Sequence, residues 1–426
     1  MPLGLYLYKT LTFMIAPFLG AFFRRRASHG KEDATRIHER FVRDAPERPE
    51  GELIWFHAAS VGESQLLLEV ARRIIDRGPT SATFLFTCQT QTAAAWVGEA
   101  LLQDERLGKA NTIHQMAPVD TPSNAERFIA HWRPDAAVFA EGEIWPNLLL
   151  ALARRKTPAA LINARMTEKT ILGWMRWPKM AARVFGTFQI LIAADLQTKT
   201  GLEALSQRDV LNPGNLKSAL PSPAVDEVEF RAVSQVIGER ATLLAASTHP
   251  GEEALIIDAV IQMSPRPFLI IAPRHPERGD EVDALLSCTK LAIARRSEDD
   301  LVTAQTDVLL ADTIGEMGLW YRLADAVYLG GGHTPGIGGH NPLEALRLGK
   351  PILTGPSLFN FSDLSKRLVQ HEGFTIVEDG EALLGAYPPA QVSKSMLEML
   401  ESDALGPISK TMSALTPLLP SIEPQS

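Results

Sequence analysis

The sequence predicts an α/β protein built as two open, parallel-sheet domains in series. Three observations predict it. Apolar strand-like runs alternate with helices of about 12 residues, the pattern of βαβ units whose sheets are covered on both faces. A break rich in proline, LNPGNLKSALPSPA at 211–224, divides the alternation into halves. The chain has 426 residues, more than one ordinary core supports, so two domains of roughly 150 to 200 residues are expected.

In the first half, LIWFHAAS reads as a strand and SQLLLEVARRIIDRG as an amphipathic helix closed by Gly78. The strands SATFLFTC and TIHQMAP follow, each with its helix, TQTAAAWVGEALLQD and PSNAERFIAHW. DAAVFAEGE is a strand, PNLLLALARRK a helix, and AALINAR and ILIAAD are further strands. After the break come strand ATLLAAST, helix EEALIIDAVIQM, strand PFLIIAPRH and helix DEVDALLS. Strand DVLLAD, helix GEMGLWYRLA, strand AVYLGGG, helix NPLEALRLG and strand PILTG complete the series. No repeat at a solenoid period is visible. Ligands of such sheets bind outside the carboxyl ends of the strands. For two facing Rossmann-like domains that means the cleft between them.

The N-terminus is different. Thr10 to Phe23 is an uncharged run of about 14 residues, short of the ~20 that cross a bilayer. Pro17 interrupts it, and Arg24, Arg25 and Arg26 follow it. No A-x-A-like cleavage site follows, and arginines after the apolar stretch suit the cytoplasmic side. The segment is read as a monotopic anchor with its arginines on anionic head groups. A buried helix of the first domain and a single-pass anchor reaching back to Leu3 are the alternatives.

Composition narrows the function. Hydrophobic content of 45% and charged content of 22% are those of a globular protein. The net charge of −8 argues against nucleic acid as the partner. Two distant cysteines, Cys88 and Cys288, give neither a disulfide framework nor a zinc site. The ten histidines show no metal-ligand spacing. The motifs H-E-x-x-H, G-x-S-x-G and G-x-x-x-x-G-K-[ST] are absent. Trp174 and Trp177 suit core packing better than an interface.

Candidate site residues are those that follow strands. SVGE at 60–63 fits the capping box, in which Ser60 and Glu63 satisfy each other's backbone N–H groups. Glu63 is equally a carboxylate placed to take a proton. Glu141 and Glu143 share a strand face, and Pro146 suits the first helical position. The second half offers cations and glycines for an anion: Lys217 in the break, Arg274 and His275 after an apolar strand, and GGG and GIGG in the loop 330–339. That loop lacks the dinucleotide G-x-G-x-x-G spacing after the first strand. In HNPLE, Asn341 is read as N-cap, Pro342 as first helical residue and Glu344 as third, with ribose hydroxyls a second use for Glu344.

HAASVGE, EGEIWPN, INAR, GNLK, STHPGEE, PRHPER, DTIGEM and GGHNPLE, in this order, resemble the 3-deoxy-D-manno-octulosonate (Kdo) transferases of lipopolysaccharide synthesis. The resemblance runs from the N-terminal anchor to about residue 365. It implies a GT-B fold and inverting, metal-independent transfer from CMP-Kdo to a lipid A precursor on the cytoplasmic face of the inner membrane. CMP-Kdo is then a substrate, and no cofactor is implied. By motif, Glu63 matches the catalytic base, and Glu141 and Lys217 match stabilisers of the transition state. Pro273, Arg274, Ile314, Gly315, Glu316, Met317, Asn341, Pro342, Leu343 and Glu344 match CMP contacts. Ser60, Gly62 and Arg165 are candidates for Kdo or acceptor contact. The sequence departs from the family after GNLK, where KSALP replaces an aromatic and an Asp. For Glu63 to act as a base, it is expected to be at least partly free of its cap. The implied organisation is an anchor at 1–28, an acceptor domain at 29–216, a CMP-Kdo domain at 217–400 and a tail at 401–426. Two other readings of the same architecture are a catalytically idle scaffold that binds sugar nucleotide or lipid, and a nucleotide-sugar epimerase.

Overall fold

The computed structural model describes residues 1–77, 82–108, 110–220 and 225–419. The chain divides into two compact units, Met1–Leu220 with the segment from Ala404 onward, and Pro221–Asp403.

The first unit carries a six-stranded sheet: β1 Leu53–Ala58, β2 Thr83–Cys88, β3 Asn111–Met116, β4 Ala136–Ala140, β5 Ala159–Ala164 and β6 Ile190–Ala193. Their order is β3-β2-β1-β4-β5-β6, with every pairing parallel. β1, β2, β4 and β5 are buried along their whole length, which explains why they read as unbroken apolar runs. The strand order reverses between β1 and β4. A doubly wound sheet opens its ligand crevice at such a point.

The second unit carries β7 Thr242–Thr248, β8 Phe268–Pro273, β9 Ile293–Arg295, β10 Val308–Leu310, β11 Ala326–Leu329, β12 Ile352–Thr354 and β13 Phe374–Ile376. The order is β13-β12-β11-β7-β8-β10-β9, again parallel throughout. Its reversal lies between β7 and β11. The sequence pattern predicts eleven of the thirteen strands among the described residues; β9 and β13 are the two edges of this sheet and only partly buried, so they do not read as apolar runs as the equally short β10 and β12 do.

The N-terminal helix runs Leu3–Ala27, straight through Pro17, and is longer than the apolar run. Its last turn holds Arg24, Arg25 and Arg26, where cations favour the carbonyl end of the helix dipole. One face docks: Leu5 is buried, Tyr8 donates to Asp120 (2.8 Å) and Asn147 donates to Thr12 (3.1 Å). The other faces expose Leu3, Tyr6, Leu11, Phe13, Met14 and Phe18. Trp174 packs edge-on against Phe185, whereas Trp177 lies beside Gly4 of this helix and stays 44% exposed.

Two boundaries differ from the sequence expectation. The 216/217 division falls inside the first unit, because Leu216 is fully buried in that unit's core. Lys217 therefore belongs with the first sheet. The expected tail from 401 is the second half of a helix, Lys394–Leu415. Met396 and Leu400 join the core of the second unit, and Ile408, Met412 and Leu415 join that of the first. Gly78, residues 221–224 of the break and residues 420–426 lie outside the described residues.

Candidate active site

The first cluster stands at the β1/β4 reversal. Ser60 caps the helix Val61–Ile75, its Oγ accepting from the Glu63 N–H at 3.3 Å. Glu63 returns the contact: its Oε1 accepts from Ser60 Oγ (2.9 Å) and its Oε2 from the Ala59 N–H (2.7 Å). Glu63 thus reaches the Ala59 N–H and the Ser60 hydroxyl in place of the Ser60 N–H of a regular capping box; both its oxygens are engaged, so the expectation that Glu63 stands free of its cap is corrected. The proton affinity of Glu63 is nevertheless raised. Burial raises the Glu63 pKa above the ordinary carboxylate value, the Ala59 and Ser60 hydrogen bonds oppose it, and the charges of Glu143 and Glu141 add to the rise.

Glu143 is held by two partners. Its Oε2 accepts from the Trp145 indole (2.7 Å) and lies 3.2 Å from His57 Nε2, near enough to pair but poorly aligned for a hydrogen bond. His57 is itself fully buried, and its Nδ1 meets Thr87 Oγ1 at 2.8 Å. Burial works against ionisation of Glu143, but His57 and Trp145 hold its carboxyl below the ordinary value. Glu143 thus supplies fixed negative charge beside Glu63.

Glu141 has the left-handed φ of 51°, and so does Asn163 in β5, where the β5–β6 register shifts. A non-glycine residue there costs on the order of 1–3 kcal/mol. The Glu141 carboxylate accepts from Lys217 Nζ at 2.6 Å and from Asn163 Nδ2 at 3.2 Å. Asn163 Oδ1 in turn accepts from the Leu216 N–H at 2.8 Å. Lys217 rides on a short 3-10 turn, Leu216–Ala219, capped by Asn215. A methyl group on Gly62 would stand 3.4 Å from Lys217 Nζ, so the lysine lies against the start of the Glu63 helix.

The second cluster stands at the β7/β11 reversal. Glu252 is buried and accepts from three backbone N–H groups: His249 (3.0 Å), Gly331 (2.8 Å) and His333 (3.0 Å). It therefore ties the loop after β7 to the loop after β11. His249 and His340 stack at 5.0 Å, with their Nε2 atoms 2.8 Å apart. Burial, with the neighbouring His249, Arg274 and His275, pushes His340 down to about 4. Ser247, at φ 54°, sits where the β7–β8 register shifts, a bulge of the kind that re-aims side chains at sites. The glycines serve packing: a Cβ on Gly330 would meet the Ser247 carbonyl at 2.4 Å, and one on Gly332 the Gly355 backbone at 2.6 Å. The sequence reading gave them to ligand approach alone.

The 3-deoxy-D-manno-octulosonic-acid transferase (kdotransferase) family profile matches residues 35–220. A 3-deoxy-D-manno-octulosonic acid transferase of Haemophilus influenzae is 31% identical over 386 residues, 88% of this chain and 87% of that one. The chain belongs to the Kdo transferase family. Solved structures agree on the fold. A glycosyltransferase from Rickettsia africae superimposes with TM-score 0.55 at 12% identity, covering 87% of this chain and 99% of that one. UDP-GlcNAc 2-epimerase from Neisseria meningitidis does so with TM-score 0.53 at 13% identity, covering 86% and 99%. Both are GT-B-type pairs of parallel-sheet domains, so the fold class read from the sequence holds.

In this Kdo transferase the motif residues fall into separate groups. Ser60, Gly62, Glu63, Glu141 and Lys217 are brought together. Arg165 follows β5, is exposed, and forms no side-chain hydrogen bond or ion pair among the described residues. Pro273 ends β8; Arg274 is exposed and donates its N–H to the Thr248 carbonyl (3.0 Å). Ile314 is 86% exposed, and Gly315 takes a φ of 96°. Glu316 is pinned by Arg296 (2.5 Å) and by Thr313 just before the helix Met317–Leu323. Burial works against ionisation of Glu316, but these hydrogen bonds hold its carboxyl below the ordinary value. The helix after Asn341 starts one residue later than expected, at Leu343–Arg347 with Pro342 as its cap. Asn341 Oδ1 still accepts from the Leu343 N–H (3.2 Å). Burial raises Glu344, with Arg347 opposing. Among the described residues no group of three His, Cys, Asp or Glu is arranged to hold a metal ion. Asn163 and Glu252 were missed as candidate site residues, although each lies inside a quoted motif; His57 stands inside β1 and is fully buried.

Proposed function

We propose that this enzyme works in lipopolysaccharide synthesis, moving Kdo from CMP-Kdo to a lipid A precursor of the tetraacyldisaccharide bisphosphate type. It does so as a monotopic protein on the cytoplasmic face of the inner membrane. Glu63 carries the reading. Its carboxylate is fixed at a strand end by Ser60 and Ala59, yet its proton affinity is raised rather than lowered. A base held in place with a pKa moved toward neutrality suits general-base catalysis, worth about 10²- to 10⁴-fold.

Glu63 takes the proton of the acceptor hydroxyl as the oxygen attacks the anomeric carbon of Kdo. The carbon passes through an oxocarbenium-like state. The bond to the CMP phosphate breaks, and CMP leaves with its electron pair. One displacement inverts the centre. Lys217, oriented by Glu141, and Arg274 stabilise the charge that gathers on the departing phosphate. Side chains carry that task in place of a metal ion. Pro273, Arg274, Ile314–Met317 and Asn341–Glu344 hold CMP, with Glu344 accepting from the ribose. Arg165, without a side-chain partner among the described residues, takes the Kdo carboxylate.

The test is transfer to a tetraacylated lipid A precursor, read by mass spectrometry, for wild type and Glu63→Gln, with and without EDTA. Product from wild type in EDTA, and a loss of about 10²-fold or more in Glu63→Gln with CMP binding intact, is expected. Equal rates would make Glu63 a cap only and shift the base to Glu141 or Glu143. No transfer by wild type would favour an idle scaffold.

A further inference from the structure

Beside the docked half of the helix Leu3–Ala27 opens a pocket of about 470 Å³. Three cations line it: Lys9 of that helix, Arg154 at the end of Pro146–Arg155, and Arg183 of Pro178–Phe185. Leu5, Leu150 and Pro122 supply apolar wall. Glu126 pairs with Arg154. Lys9 and Arg183 form no side-chain hydrogen bond or ion pair among the described residues. Three cations against one carboxylate leave an excess of two positive charges, and an anion is the complement they lack.

The surroundings say what kind of anion. Leu3 (67% exposed) and Tyr6 (58%) leave the same helix half apolar toward the outside. On its other flank lies an apolar groove of about 590 Å³, walled by Leu7, Leu11, Trp174, Trp177 and Met180. A phosphate beside hydrocarbon is the chemistry of a phospholipid. Position separates this lipid from the reacting one. Pro146 begins the helix Pro146–Arg155 next to the strand-end loop of Glu141 and Glu143; Asn147 lines the inner end of the pocket, and Arg154 stands eight residues on from Pro146, about 12 Å farther along that helix.

We propose that Lys9, Arg154 and Arg183 seat the phosphate of an anionic bilayer phospholipid, whose acyl chains lie along the exposed face of the helix. The site is a resident-lipid clamp, separate from the acceptor site.

The test is native mass spectrometry of the full chain in mild detergent with phosphatidylglycerol, phosphatidylcholine or glycerol phosphate added. One phosphatidylglycerol per chain is expected, retained in preference to phosphatidylcholine. Lys9→Gln/Arg183→Gln should weaken retention about thirtyfold, as two surface cations imply. Arg24→Gln/Arg25→Gln/Arg26→Gln should retain it. A thermal melt checks that each variant folds. Equal retention by Lys9→Gln/Arg183→Gln, equal retention of phosphatidylcholine, or displacement by glycerol phosphate at matching concentration would each overturn the proposal. The binding readout is independent of transfer, so it stands or falls apart from the assignment of Glu63.

Discussion

Lys217 Nζ sits 2.6 Å from Glu141 Oε1, and one asparagine braces both ends of the pair. Asn163 donates to Glu141 and accepts from the N–H of Leu216, the residue before the lysine. The cation is thus positioned by a carboxylate on one side and a fixed backbone turn on the other. In the proposed mechanism such preorganisation lets it act on developing charge without reorganising.

Lys217→Ala should therefore lower the rate of Kdo transfer by about 10²- to 10³-fold, the scale of one lost charge-stabilising donor. CMP binding should change only a few-fold. Single-turnover rates beside calorimetric CMP titration check this; a defect confined to binding would deny the assignment.

Glu143→Gln should move the acid limb of the pH–rate profile to lower pH. The proposed base acts ionised, so activity should rise as pH passes the Glu63 pKa, and the Glu143 charge is one of the causes that raise it. Removing that charge makes Glu63 easier to ionise.

Ser60→Ala should move the same limb the other way, because the Ser60 hydroxyl stabilises the ionised form of Glu63. It should also cost about 1 kcal/mol of stability as a lost helix cap. Opposite shifts in these two variants, measured in one buffer series, would tie the limb to Glu63.

Glu63→Gln should not share that loss. A raised pKa means that the folded state binds the proton more tightly than the unfolded state. Wild-type stability from this group is present below the unfolded carboxylate value and falls as pH rises through the higher folded value. The melting temperature of Glu63→Gln relative to wild type should accordingly rise from pH 4 to pH 8; a falling difference would contradict the direction of the shift.

Glu252→Ala should destabilise the second unit and weaken CMP binding together. It strands the N–H groups of His249, Gly331 and His333, at about 1–3 kcal/mol for each that stays buried without a partner. Thermal melts and CMP titration report both effects.

Much of this was legible in the sequence. The parallel strands announced themselves as unbroken apolar runs, and the capping box gave the geometry of Ser60 and Glu63. The His57–Glu143 contact needed the pairing of β1 with β4, which sets His57 opposite Phe139 and is invisible along the chain. Glu252 looked like any acid at a helix start; only the return of β11 beside β7 gives it Gly331 and His333 as partners. The break at 211–224 showed where the chain leaves the first unit, but no local signal showed that it comes back.

That return has a consequence for biosynthesis. Ile408, Met412, Leu415 and Leu419 fill the same core as Leu66, Val70 and Phe86. The N-terminal half therefore emerges from the ribosome lacking part of its own interior, and it waits exposed until residues 408–419 have been synthesised. A stop codon after Asp403 would leave every motif residue in place, yet its product should meet chaperones and proteases as an unfinished protein.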